Sequence, residues 1–406
     1  MKFAHFADCH IGSWREPKLK EISTMAFIKG VDLCIEKRMD FVLIAGDLFN
    51  TSLPSIDKLK ETVVKLKELK DNGIPVYVIA GSHDYSPSGK TMLDVLESAG
   101  LFVNVGKGEV VEGKIKLNFT VDEKTGAKIT GMMGKKAGLE RVYYENLIRE
   151  NLENEEGYKI FLFHSAITEL KPKSMEKMDS KPLSFLPKNF SYYAGGHPHF
   201  VFSEKVEGYG TIAYPGPLFP NNFKELEELS KGGFFIVTDS NVEWQPVQIY
   251  NTEHIKISCE HKKPEEVERE ILDGISKKEF INTIVTLRLR GVLECGKPSD
   301  IDFKEIFKRL YEKSAFFVMK NTNALSTKEF EEVKVSTSSI EDIEEDIIKE
   351  HAGQIEIEDF SPELVTKELM NVINKEKDEG EKVGDFEKKV SDEVKKILGV
   401  GEVFGG

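Results

Sequence analysis

The sequence has few cysteines and no CxxC pair. Cys9, Cys34, Cys259 and Cys295 are the only four in 406 residues, which argues against a disulfide scaffold and against cysteine-held structural zinc. No apolar run approaches the roughly 20 residues a spanning helix needs. The opening residues Met1-Lys2-Phe3-Ala4-His5-Phe6-Ala7-Asp8 turn polar at once. We therefore expect no signal peptide, no membrane partner and a cytoplasmic location. Positive charge is also short, with 56 Lys and Arg against 70 Asp and Glu and a net charge of −14. Bulk basicity therefore gives no argument for nucleic acid, although cations held in a cleft would supply local positive charge. Hydrophobic residues make up 40% and aromatics 10%, which is globular rather than disordered composition. The length favours two or three domains over one core.

Over residues 1–240, short β-rich runs alternate with amphipathic stretches. Strands are expected at 2–7, 40–45, 75–80, 116–120, 159–163, 192–195 and 234–238. Helices are expected at 19–38, 56–72, 90–98 and 139–152. In the second of these, Leu59, Val63, Leu66 and Leu69 recur at helical spacing. Strand–helix–strand alternation at this interval predicts an α/β fold class with right-handed crossovers. A smaller α/β unit is expected over 241–335, with strands at 254–259, 283–290 and 315–320. Two helices between them carry Val267, Ile271 and Ile275, then Phe303, Phe307 and Leu310. An acidic helix and linker are expected over 336–360, and a helical pair over 361–398. The pair would begin at the Ser361-Pro362 cap and align Val365, Leu369, Val372 and Ile373, then Phe386, Val390, Val394 and Ile397. Two short helices bury both stripes poorly by themselves, so they either dock elsewhere or pack back on their own domain.

Histidine placement carries the chemistry. Six of the nine histidines fall in the first 200 residues, and five of these sit in compact motifs. Asp8-Cys9-His10, Gly46-Asp47, Gly81-Ser82-His83-Asp84, His164 and Gly196-His197-Pro198-His199 each follow an apolar strand. Ligands collect at that edge of an α/β sheet. The residue types suit two divalent cations such as Mn²⁺, Fe²⁺ or Zn²⁺ that share a carboxylate. Ligands two residues apart, as in Asp8-x-His10 and His197-x-His199, reach a common ion at a strand end, and Asp47 is placed to bridge two ions. Cys9 and His5 are read as packing residues. The lysine-rich stretch 171–177, with Lys181 and Lys188, reads either as a solvated loop or as a phosphate-tracking rim. Trp14 and Arg15 either pack or stack on a nucleotide.

The ordered set DxH, GD, GSHD, H and GHxH resembles the calcineurin-like metallophosphoesterases. Gly46-Asp47-Leu48-Phe49, Gly81-Ser82-His83-Asp84 and Tyr214-Pro215-Gly216 resemble the SbcD-type nuclease subunits that act with an SMC-like ATPase in double-strand-break repair. The resemblance implies a four-layer α/β/β/α sandwich and two metal ions, most commonly Mn²⁺. Asp8, His10, Asp47 and His199 would hold one ion, and Asp47, Ser82, His164 and His197 the other. His83 would be the general acid or phosphate-orienting group, a role that suits an imidazole, with Asp84 holding its ring. The resemblance also implies that DNA ends are the substrate, that residues 361–398 dock the ATPase, and that the small α/β unit contacts DNA. A homodimer would form through helices near 56–72 and 90–98, whose apolar faces could equally cover their own sheet. A prokaryotic protein of this kind would be nucleoid-associated. The family's metal-binding Asn is Ser82 here, and Asn50 stands where some relatives carry a second histidine. These two departures leave open a catalytically weak DNA-end-binding scaffold and, further off, a small-nucleotide phosphodiesterase.

Overall fold

The structure is a computed structural model of the chain. It describes residues 1–86, 91–135, 139–239, 241–328, 365, 368, 369, 372, 375 and 383–397. Two compact units emerge from its packing. The first comprises 1–258, 265–289 and 302–324, and the second 259–264, 290–301 and 325–406. The expected acidic helix over 336–360 lies outside the described residues.

The first unit is built on two six-stranded sheets. One runs β14 (Asn241–Val247), β13 (Gly232–Thr238), β1 (Lys2–Phe6), β2 (Phe41–Ala45), β3 (Val76–Ile79) and β4 (Val103–Asn104). Its four strands β1–β4 are parallel, and β13 closes against β1 antiparallel, with Phe3 opposite Val237. The other sheet runs β11 (Phe202–Val206), β12 (Gly210–Tyr214), β10 (Tyr192–Gly196), β9 (Lys159–His164), β8 (Lys128–Met132) and β7 (Thr120–Val121). There β12, β10, β9 and β8 are parallel.

The sheets face each other across Phe3, Phe41, Leu43, Tyr77, Ile129, Ile160, Leu162 and Tyr192. The outer face of the first sheet packs on α1 (Pro17–Glu36), α2 (Ile56–Asp71) and α3 (Met92–Ser98), through Leu19, Ile22, Phe27, Val31, Leu66, Leu69, Leu93 and Leu96. The second sheet is covered by Tyr144, Leu147, Leu152, Leu186 and Phe190. This is the expected α/β/β/α sandwich. Each large apolar side chain so buried contributes about 1.5–3 kcal/mol relative to exposure.

Local chemistry sets several boundaries. Pro17 opens α1 at the position where its missing N–H costs nothing. Thr91 and Asp94 form a reciprocal capping box that starts α3. The strand expected at 116–120 is two elements. Glu112 and Gly113, both at positive φ, make the tight turn of a hairpin between β5 (Gly108–Val111) and β6 (Lys114–Leu117), while β7 begins anew at Thr120. The helix expected at 139–152 is also broken, into α4 (Arg141–Glu145) and α5 (Glu150–Glu153). Between them Leu147 bridges Ile115 in extended form, and that pairing outweighs the helical pattern.

The small sheet runs β15 (Asn251–Ser258), β16 (Thr283–Leu293) and β17 (Ala315–Thr327), with α7 (Pro264–Ser276) and α8 (Phe303–Glu312) between them in sequence. Within the first unit, Tyr250 stacks on Phe316 at 3.8 Å and Ile284 joins the core beneath α1. A helix at Val383–Ile397 falls within the range of the expected C-terminal pair, most of whose first helix lies outside the described residues. It leaves Phe386, Val390, Val394 and Ile397 half-buried, whereas Val365 and Val372 are buried. No helix among the described residues is long and apolar enough to cross a membrane.

Candidate metal centre

Because β1, β2, β3, β9 and β10 all run the same way, their carboxyl ends meet at one edge of the two sheets. The first sheet delivers Asp8, His10, Asp47 and His83, and the second delivers His164, His197 and His199. The sheets approach so closely there that a Cβ on Gly196 would lie 2.2 Å from the Ala45 carbonyl, and within the first sheet one on Gly81 would lie 2.2 Å from Asp47 Oδ1. Glycine is therefore required at both positions. Asp8, His10, Asp47 and His197 all adopt positive φ (50°, 41°, 53° and 91°). That conformation is unfavourable for side-chain-bearing residues and concentrates at functional sites.

The donor atoms converge. Asp47 Oδ2 lies 3.6 Å from His10 Nε2 and 3.2 Å from His164 Nε2. Asp8 Oδ1 lies 3.6 Å from His199 Nε2 and 3.9 Å from His164 Nε2, and the Nε2 atoms of His10 and His199 face each other at 3.2 Å. Two groups of three donors, Asp8–His10–His199 and Asp8–Asp47–His164, each gather within 4.8 Å, and His10–Asp47–His83 forms a third. Asp8 and Asp47 thus each stand in two of the three groups. Backbone N–H groups hold the carboxylates in place: His197 donates to Asp8 at 3.0 Å and His83 to Asp47 at 2.8 Å.

Burial makes this arrangement costly without a cation. Asp8, Asp47, His10 and His164 are at most 3% exposed, and an unpaired buried charge costs several kcal/mol. Burial opposes protonation of His164 and His199, but neighbouring carboxylates outweigh it. Asp47 and Asp8 raise His164 to about 9, and Asp8 with Glu225 raises His199 to about 10. Burial pushes His10 down to about 4, and burial with the His164 charge does the same to His197. Burial alone would raise Asp47, yet His164 and His10 hold it well below the usual carboxylate range. His164 Nε2 is buried with no hydrogen-bond partner, although two carboxylate oxygens lie within 4 Å. An atom so placed has the position of a metal ligand, and the oxygen–imidazole donor set suits a pair of divalent ions.

One expectation changes. The Asp84 carboxylate does not hold His83; it accepts from the backbone N–H groups of Leu48, Phe49 and Gly81 and so ties the Asp47 loop to the Ser82 loop. Burial and the Asp47 charge raise Asp84 to about 6. The ring of His83 is held instead at Nδ1, 2.9 Å from the Asn50 carbonyl. Trp14 is a packing residue, with its Nε1 donating to the Pro220 carbonyl at 2.9 Å beside Phe219. His197 stands beside His164 with ring centroids 5.3 Å apart, but its imidazole is outside the three-donor groups among the described residues. Ser82 donates to Asp47 Oδ2 at a long 3.4 Å. His5 and Cys9 are fully buried, and His5 bonds the Tyr192 hydroxyl.

A cavity of about 620 Å³ opens over His10, Asp47, Ser82, His83, His197 and His199, and residues 173–178 form one wall. The lysine-rich stretch is therefore at the rim. Lys171 pins that loop through the carbonyls of Glu176 and Met178, while Lys173, Lys177 and Lys224 line the cavity. Sequence reading missed Glu225 on α6 (Phe223–Leu229), whose Oε2 lies 3.0 Å from His199 Nδ1. It lies outside every motif, and no local pattern marks it.

Residues 1–200 match the calcineurin-like phosphoesterase family. The chain is 26% identical to a protein of Archaeoglobus fulgidus named DNA double-strand break repair protein Mre11, over 97% of this chain and 91% of that one. Proteins of the same name from Sulfolobus acidocaldarius and Methanocaldococcus jannaschii are 26% and 29% identical. They cover 98% and 77% of this chain, and 99% and 80% of their own lengths.

Proposed function

We propose that this chain, which belongs through residues 1–200 to the calcineurin-like phosphoesterases, is a Mn²⁺-dependent DNA nuclease of double-strand-break repair. One observation carries the reading. Asp47 Oδ2 stands between His10 Nε2 and His164 Nε2, as a carboxylate shared by two cations must. Asp8, His10, Asp47 and His199 would hold one ion. Asp47, His164, His197 and Ser82 would hold the other, with Ser82 a shorter and weaker donor than an amide. Bound there, the ions supply Lewis acidity toward phosphoryl oxygens and toward water.

The chain's own residues do the rest. His83 is fixed by donating its Nδ1–H to the Asn50 carbonyl, and its other ring nitrogen serves the cavity it lines. From that nitrogen it would pass a proton to the departing sugar oxygen. Lys173 and Lys177 on the loop wall draw the flanking phosphates, while Lys224 pairs with Glu228 at 3.7 Å. The archaeal relatives' names support DNA ends as the substrate. An SMC-like ATPase would dock on residues 361–398, where the helix at Val383–Ile397 keeps a half-buried apolar stripe. A homodimer would use the outer faces of α2 and α3. Their inner residues cover the sheet, but Ile56, Val64 and Val95 remain 83%, 47% and 57% exposed. The small α/β unit over 241–335 is the proposed DNA-contacting cap.

The test is degradation of end-labelled linear duplex and hairpin DNA in Mn²⁺, wild type beside His83→Ala. The variant should lose about 10²–10⁴-fold in rate while taking up manganese like the wild type. A wild type that binds DNA ends but leaves them intact, even with the ATPase added, would point to the scaffold instead.

A further inference from the structure

We infer that Glu225 is a positioning residue for His199, fixing which ring nitrogen faces the metal centre. The inference rests on the two-ion reading above. It begins from the contact between His199 Nδ1 and Glu225 Oε2, which lie 3.0 Å apart. A carboxylate only accepts, so Nδ1 keeps its proton, and when the ring is neutral Nε2 presents the lone pair. That lone pair points to where His10 Nε2 lies at 3.2 Å and Asp8 Oδ1 at 3.6 Å. Two imidazole nitrogens facing each other at that distance satisfy neither unless one is protonated or a cation stands between them. With Nδ1 keeping its proton opposite Glu225, a neutral His199 can only accept at Nε2, as a metal ligand does.

Glu225 is itself held firmly. Its Oε2 also accepts from the Asn221 backbone N–H at 2.9 Å, its Oε1 accepts from the Asn222 side chain, and its own N–H is capped by Asn222 Oδ1 at 2.9 Å. The helix that carries it is pinned from the other side. Arg288 of β16 donates to Glu227 Oε2 at 2.7 Å and lies over the Phe223 ring, and His254 of β15 bonds Ser230 at 3.0 Å. A seven-residue helix has little rigidity of its own. These contacts make α6 a fixed bracket, with Glu225 aimed at one metal ligand and Glu227 at the small sheet. Partners that orient a ligating histidine typically account for 10–100-fold in metal affinity.

The experiment is calorimetric titration of the full-length protein with Mn²⁺, together with the visible spectrum of the Co²⁺-loaded form. Glu225→Asp keeps the charge but withdraws the oxygen from His199, whereas Glu225→Gln gives up the charge but keeps an acceptor within reach. The wild type should bind two ions. Glu225→Asp should weaken one of them about 10–100-fold and shift the Co²⁺ bands, leaving the other ion unchanged. Glu225→Gln should recover most of that loss. Two ions bound normally by Glu225→Asp, or a loss in Glu225→Gln that Glu225→Asp does not share, would overturn the positioning role alone. A wild type that takes up no manganese would overturn the two-ion reading with it. Melting curves establish that each variant is folded, and if one fails to fold the other still decides.

Discussion

At the amino ends of the parallel strands, buried polar groups find partners within the protein. Asp122 accepts from the Tyr77 hydroxyl at 2.8 Å with one oxygen and from Thr125 with the other. Lys159 donates to the carbonyls of Leu152 and Glu153. At the carboxyl ends of the same strands, Asp8, Asp47, His10 and His164 are just as buried, yet His164 Nε2 and His10 Nδ1 have no hydrogen-bond partner. Both edges bury charge, but at the carboxyl ends two imidazole nitrogens are left unsatisfied beside Asp8, His10, Asp47 and His197, all at positive φ. The difference separates a structural polar network, complete in itself, from a site whose last partner comes from solution.

Asp47→Asn should break this contrast most severely. It withdraws the charge shared between His10 and His164, so manganese uptake should fall from two ions to at most one and DNA hydrolysis to background. Metal analysis after desalting checks the first and end-labelled duplex the second; two retained ions would refute the bridging role.

A smaller effect is pH-dependent. In the ion-free protein His164 and His199 titrate at about 9 and about 10, so both are protonated at pH 7. Uptake of ions must expel those protons. Manganese affinity should therefore rise as pH climbs from 7 toward 9–10, with about two protons released per loaded molecule near neutrality. Titration calorimetry in buffers of different ionisation enthalpy counts them. The raised values also stabilise the ion-free fold below the ordinary 6.5, a contribution lost as pH rises through about 9 to 10.

The smallest effect belongs to the opposite edge. Tyr77→Phe leaves Asp122 Oδ1 without its donor and should cost about 1–3 kcal/mol of stability without altering manganese uptake. Thermal unfolding beside a metal titration tests both, and a change in metal affinity would erase the distinction between the two edges.

The metal-centre side chains were legible because each motif sits where an apolar strand stops. Val42-Leu43-Ile44-Ala45 and Ile160-Phe161-Leu162-Phe163 announce both the strand and its end. The interior strand β8 was not legible. Lys128-Ile129-Thr130-Gly131-Met132 alternates too weakly to stand out and is held by pairing with β9. The break between α4 and α5 was hidden for a similar reason, since the pairing of Leu147 with Ile115 is a tertiary contact that overrides local helical spacing. Asp84 was misassigned because adjacency to His83 suggested a contact, whereas the turn aims its carboxylate back at the Leu48, Phe49 and Gly81 amides.

By itself the sequence determined that the most apolar strands of residues 1–240 end in paired carboxylates and histidines, and which chemistry those types suit. Those properties depend on residue identity and on spacing along one chain. Only the tertiary structure decided that five strand ends from two sheets meet at one edge, that Asn50 rather than Asp84 holds His83, and that Glu225 reaches His199 from a helix 26 positions away. Each of these is a meeting of segments distant in sequence, set by how the sheets pack.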